Sequence, residues 1–218
     1  RPIKVITRPG SLLDPGVERP VVGGNHETSQ RVADAVFRAF EPVAAQQLTA
    51  GGPTTSGLML FGGRRADGAW TTLYETHGGG EGARHDRDGA SVVRVHMSNV
   101  MNTPAEVIEA EYPIRIDCQR LRDDSSGTGH HKGGEGLHRE YRILCEDMSV
   151  TSMFERRVVP PYGLQGGEPG APFKVTITEK SGEKTDLPGK ANIRLGINDV
   201  VTVDSCGGGG YGKPEKGK

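Results

Sequence analysis

The rhythm of apolar and polar positions changes along this chain, and each change marks an element. Over residues 30–47, Val32, Val36, Phe40 and Val43 recur on one helical face, interleaved with Arg31, Asp34, Arg38 and Glu41. This spacing predicts one amphipathic helix packed on a sheet, with Thr28 or Ser29 as its cap. A short strand is expected before it at 3–7, followed by a loop rich in Pro9, Gly10, Pro15, Gly16, Gly23 and Gly24. From residue 55 the pattern becomes that of short strands. Segments 57–61 and 69–76 read as a hairpin turning through Gly62, Gly63, Asp67 and Gly68, and 91–96 reads as a valine-rich strand. Asn102-Thr103-Pro104-Ala105-Glu106 has capping-box chemistry and predicts a short helix ending before Pro113. Segments 114–121, 136–144, 149–154, 173–179, 191–195 and 199–204 then read as strands.

The expected fold is mainly β with a few helices (α+β): antiparallel sandwich or barrel-like sheets, one long helix near the N-terminus and long glycine-rich loops. The chain divides in this reading into a helix, hairpin and glycine-loop region (1–112), a β-rich region (113–212) and a disordered tail (213–218). Composition agrees, because 33 glycines, 14 prolines, 33% hydrophobic residues and a mean hydropathy of -0.51 are too polar and turn-rich for a helical bundle. A formal net charge of -1 creates no field that would favour nucleic acid or an anionic membrane, and no apolar run reaches the length of a membrane span. Cys118, Cys145 and Cys206 are far apart and odd in number, which argues against a disulfide framework or zinc knuckle and for a reducing cytoplasm. The start at Arg1, with strand-like sequence immediately after it, is expected of a piece of something longer.

Two glycine motifs suggest nucleotide binding and fail on their surroundings. Gly78, Gly79, Gly80, Gly82 and Ala83 contain G-x-G-x-x-A after a strand, but Arg84-His85-Asp86-Arg87-Asp88 offers no helix to hold a phosphate. Gly207 to Lys213 reads G-x-x-x-x-G-K, but Pro214 stands where a magnesium-binding hydroxyl is needed. His85, Asp86, Asp88 and His96 are the densest potential ligands and lack a paired metal-binding spacing, so no metal is assigned to this chain. His130-His131-Lys132 reads as an exposed turn, and Arg156-Arg157 as a structural ion pair or an anion contact. A nucleophile elbow is absent, and no cysteine has an adjacent activating histidine.

One family pattern runs through nearly the whole chain. Tyr74-Glu75-Thr76, Gly78-Gly79-Gly80-x-Gly82-Ala83, Asp88-Gly89-x-Ser91, His96-Met97-Ser98-Asn99 and Met101-Asn102-Thr103-Pro104-x-Glu106 follow in order. Glu109-Ala110-x-Tyr112-Pro113, Glu155-Arg156-Arg157, Pro161-Tyr162-Gly163-Leu164 and the run from Gly207 to Gly212 continue it. This series resembles the hydantoinase B/oxoprolinase family, specifically the C-terminal part of a B-type subunit; His77, His85 and Ser98 depart from the usual pattern. The resemblance implies a cytoplasmic hydrolase of cyclic amides (hydantoin, lactam or 5-oxoproline type), working with an A-type partner that binds ATP and Mg2+. It also implies a divalent metal in the N-terminal half of the B-type subunit. Related complexes carboxylate ketones, and a structural assembly module is a further alternative. On this resemblance the expected substrate or interface contacts are Gly78, Gly79, Gly80, Gly82, Asp88, His96, Asn99 and Arg156.

Overall fold

The computed structural model describes residues 3–214, so the expected tail lies outside the described residues from position 215 onward. Among the described residues nine strands form two antiparallel sheets, neither closed into a barrel, and two α-helices accompany them. The elements are α1 (Thr28–Ala44), β1 (Leu58–Arg64), β2 (Trp70–Glu75), α2 (Ala105–Glu111), β3 (Ile114–Arg122) and β4 (Gly136–Ile143). Then come β5 (Met148–Met153), β6 (Lys174–Thr178), β7 (Lys184–Asp186), β8 (Lys190–Leu195) and β9 (Val200–Asp204). One sheet has the order β2-β1-β5-β8 and the other β3-β4-β9-β6-β7. The four-stranded sheet takes two strands from each side of residue 112, so segments 1–112 and 113–212 share it. They also share one core, in which Met59, Phe61 and Leu73 meet Ile114, Ile143, Val150, Val175, Val201 and Val203, with Ile108 of α2 packed among them.

Local chemistry explains where elements differ from expectation. β1 runs straight through Gly62 and Gly63, and the hairpin turn is confined to residues 65–69, where the Arg65 amide donates to the Ala69 carbonyl. Segment 91–96 makes only an isolated bridge from Val93 to Gly79, because Val92 and His96 have φ of 52° and 29°, incompatible with a β-branched strand. Segment 3–7 has no strand partner and is exposed. Neither helix has a side-chain cap: Ser29 Oγ donates back to the Asn25 carbonyl, and the Thr103 amide donates to Glu75.

The long helix reverses the expected burial. α1 buries Gln30 and Asp34, while Val36, Phe40 and Val43 remain exposed, Phe40 by 52% and Val43 by 80%. Asp34 faces inward to pair with Arg156 Nη2 at 2.9 Å, and Arg31 Nη1 donates to Thr54 Oγ1. Polar anchors therefore hold α1, and its apolar stripe is left without cover.

A third layer is made almost entirely of backbone. Segments 78–83, 127–134, 163–170 and 207–212 run from strand ends and lie main chain against main chain. A Cβ on Gly80 would sit 1.8 Å from the Gly134 carbonyl oxygen, and one on Gly208 would sit 1.9 Å from that of Glu81. Only glycine permits such approach. Every amide from Gly207 to Gly212 donates within the chain, to Ala171, Gly134, Gly51, Glu168, His131 and Leu164 in turn.

Candidate functional site

The glycine motifs are structural. Gly79 and Gly80 spend their amides on the Val93 and Cys206 carbonyls, and every amide of the run 207–212 is paired, so that run presents no free N–H group to a phosphate. Among the described residues no group of three His, Cys, Asp or Glu side chains is arranged to hold a metal ion, and no helix is long and apolar enough to cross a membrane. Burial pushes the Cys206 thiol up to about 12 and raises that of Cys145, leaving neither poised as a nucleophile.

The residues singled out from sequence do not converge. Asp88 is exposed and accepts the Lys132 amide at 2.9 Å, capping a turn. Arg156, at φ 62°, is buried on Asp34 and on the Pro53 and Pro160 carbonyls. His96 stands edge-on to Phe37 with ring centroids 4.7 Å apart, and burial lowers its pKa. Gly79, Gly80 and Gly82 are inside the glycine layer. Gly78 and Asn99 border a cavity, and Asn99 borders two.

Those two cavities belong to a polar cluster that motif reading missed. Strand alternation creates it. On β4, Leu137, Arg139, Tyr141 and Ile143 all point inward, and on β2 so do Leu73 and Glu75. Arg139 is 0% exposed and Glu75 2%, and they meet as an ion pair with Nη1 3.2 Å from Oε1. The same carboxylate oxygen accepts the Thr103 amide at 3.1 Å, and Arg139 Nη2 donates to the Thr103 carbonyl, tying segment 97–103 to the sheet. A charged residue in an inward strand register was the available sequence signal.

His77 joins this pair from below. Its Nδ1 is 2.7 Å from the Gly57 carbonyl, which can only accept, so Nδ1 carries the proton and Nε2 accepts from Tyr141 Oη at 2.6 Å. Burial holds the ring neutral, lowering its pKa to about 3, and raises that of Tyr141. Ser56 links the cluster to α1: its amide donates to Glu27 Oε1 at 3.2 Å, its hydroxyl receives Gln30 Nε2, and its carbonyl receives Arg94 Nη1 at 3.2 Å. Tyr74 Oη and His26 Nε2, 2.6 Å apart, complete the wall of a cavity of about 220 Å³.

At the two ends of the cluster Arg94 Nε, Arg94 Nη2 and Glu27 Oε2 are buried without a partner, and Arg139 Nε is a further such atom between them. An unsatisfied buried donor or acceptor costs about 1–3 kcal/mol, more when charged, so such groups concentrate where a ligand or proton is handled. Burial is the main reason Glu27 is raised to about 7 and Arg94 lowered; Glu75, Glu27 and Tyr74 offset the shift of Arg94. Glu27 also borders an open apolar groove of about 770 Å³ between residues 12–24 and α1, where Lys190 pairs with Glu155.

The two titrations oppose each other. Glu27 binds its proton more tightly folded than unfolded, so its contribution is present below pH 4.5 and is lost as pH rises toward 7. His77 binds its proton less tightly folded, so its contribution is present above pH 6.5 and is lost as pH falls toward 3. Between pH 4.5 and 6.5 the slopes cancel in part. Glu27→Gln is expected to remove one of them, so that urea-unfolding stability rises with pH by up to about 1.4 kcal/mol per unit over that window. A variant that keeps the parent's pH profile would show that Glu27 titrates normally.

The family described as hydantoinase B/oxoprolinase matches residues 1–214. 5-oxoprolinase 1 of Arabidopsis thaliana is 37% identical over 211 residues, covering 97% of this chain and 16% of that protein. A 5-oxoprolinase of Dictyostelium discoideum is 33% identical over 214 residues, covering 98% of this chain and 16% of that protein. The ATP-dependent caprolactamase of Pseudomonas jessenii superposes with a TM-score of 0.77 at 22% identity, covering 86% of this chain and 34% of that one, and so shares the fold. The chain spans between 16% and 37% of the length of the first relatives it matches.

Proposed function

The chain belongs to the hydantoinase B/oxoprolinase family, and from that premise we propose that it is the C-terminal portion of the B-type subunit of an ATP-dependent hydrolase of cyclic amides. The observation that carries this reading is the 37% identity to a 5-oxoprolinase across 97% of the chain. An amide carbonyl is a poor electrophile. Transfer of a phosphoryl group to its oxygen makes the carbon electrophilic enough for water to add; the ring C–N bond then breaks to give an amine and an acyl phosphate, and a second water releases phosphate and leaves the ring-opened acid. In this reading an A-type partner binds ATP and Mg2+ and delivers the phosphoryl group. The B-type chain holds the ring and shields the activated species from bulk water. The role of this portion is positional: the cluster around Ser56, Glu75 and Arg94, with Asn99 at its mouth, forms one wall of the substrate chamber.

Assembly follows from α1. Its uncovered stripe is the face on which the remainder of the B-type chain docks, since the relatives carry most of their length outside the matched region. Val36→Asp with Phe40→Asp is expected to lower co-purification of this portion with the remaining B-type segment by about tenfold. Its unfolding free energy should move by only about 0.5 kcal/mol, as for other exposed sites. Unchanged co-purification would remove α1 from the interface.

ATP turnover by the complete B-type chain with its A-type partner tests the function itself. Stimulation by a hydantoin, a lactam or 5-oxoproline is expected without added hydrogencarbonate. Stimulation only by a ketone together with hydrogencarbonate would move the protein to the carboxylases.

A further inference from the structure

Arg94 carries an unused fork. Its Nη1 donates to the Ser56 carbonyl at 3.2 Å, whereas Nε and Nη2 are buried and have no acceptor. Those two nitrogens form the side-on edge of the guanidinium, whose parallel N–H groups match the two oxygens of a planar O–C–O group. The residue stands between the cavity of about 220 Å³ and a second of about 560 Å³, and Asn99, Val100 and Met101 border both.

The neighbouring charges leave room for one negative charge. Glu75 is committed to Arg139 and the Thr103 amide. Glu27 is committed through Oε1 to the Ser56 amide. Two buried guanidinium groups thus face one carboxylate, engaged through its Oε1, and one carboxyl that burial favours in its neutral form. A dianionic phosphate would meet Glu75 across a single free fork, so a monoanion fits better. The backbone around Arg94 that leads into the wall of these cavities is strained, with Val92, His96 and Met97 at φ of 52°, 29° and 55°. Strain of this kind is characteristic of ligand clamps.

We propose that Arg94 anchors the O–C–O group of a small planar monoanion, either the carboxylate carried by a cyclic-amide substrate or hydrogencarbonate, beneath a roof formed by residues 97–102. The first source rests on the function proposed above; the second does not. Since Nε and Nη2 are closed off from solvent, the roof shifts for the anion to reach them.

Equilibrium binding to the complete B-type chain with its A-type partner provides the test, with 5-oxoproline, pyrrolidin-2-one and hydrogencarbonate as probes. Pyrrolidin-2-one is the same ring without the carboxylate. Arg94→Met is expected to weaken 5-oxoproline or hydrogencarbonate binding by about 10- to 100-fold, leaving pyrrolidin-2-one unchanged. Arg94→Lys, which keeps the charge and loses the fork, should fall between and serves as the reading if the methionine variant does not fold. Parental affinity for both anions in either variant, or equal losses for the neutral ring, would overturn the site. If hydrogencarbonate alone depends on Arg94 and no cyclic amide stimulates ATP turnover, the anion site stands and the cyclic-amide reading fails. If neutral rings stimulate turnover and Arg94 variants bind both anions normally, the reverse holds.

Discussion

Gly208→Ala is expected to destabilise the native fold severely. A Cβ at this position would lie 1.9 Å from the Glu81 carbonyl oxygen, with its carbon and the Gly80 oxygen also in contact range. Overpacking a core commonly costs about 1–3 kcal/mol when side chains can turn aside. Here the obstacle is main chain on a segment whose six consecutive amides are all committed, so relaxation would break hydrogen bonds as well. The cost is expected at about 4 kcal/mol or more, a large part of a typical domain's stability. Gly68→Ala is the matched control, since its Cβ would meet open space and only its φ of 86° resists substitution, at about 1 kcal/mol. Chemical denaturation of both variants separates close packing from turn strain. Equal losses would mean that the glycine layer yields.

The second large effect is at Arg139. Arg139→Met is expected to destabilise the protein by about 3–5 kcal/mol, the usual result of leaving one partner of a buried ion pair uncompensated. Glu75, 2% exposed in the native fold, would keep the Thr103 amide as its hydrogen-bond donor and Arg94 as a more distant positive charge, and would lose its direct ion-pair partner. Arg139→Met together with Glu75→Gln should recover part of the loss, because the stranded charge is gone. Denaturant unfolding of the single and double variants measures this recovery. A double variant no more stable than the single would place the cost in packing over Tyr141, where the guanidinium lies 5.1 Å from the ring centroid.

Much of the fold could be read from the chain because its strands follow a period of two and its turns are marked by glycine, proline and aspartate. The sequence-based segments 136–144, 173–179 and 199–204 correspond to β4, β6 and β9 within a residue at each end. β7 escaped notice because Lys184-Thr185-Asp186 is an exposed edge with no apolar member. The amphipathic pattern of α1 was legible, but its meaning was not. Periodicity shows that a face is apolar, and whether that face meets this chain or another surface depends on what Asp34 and Gln30 bind elsewhere in the fold.

The candidate site was less legible for a similar reason. Glycine motifs drew notice as loops around a ligand, whereas their amides serve to stack the backbone. Glu75, Arg94 and Arg139 are distant in sequence and carry no motif spacing. Their common feature is burial of charge, visible beforehand only as Arg139 and Glu75 at inward strand positions; nothing comparable marked Arg94, which sits outside any regular element.

On the proposed function, this portion serves a reaction in which ATP hydrolysis opens a cyclic amide. Mass analysis of products from the complete B-type chain and its A-type partner, supplied with ATP and a cyclic amide, tests it most directly. The expected product is the ring-opened acid, heavier than the substrate by one water, formed only when ATP is present and accompanied by ADP. An intact ring under those conditions, together with a ketone that gains a carboxyl group when hydrogencarbonate is added, would contradict it.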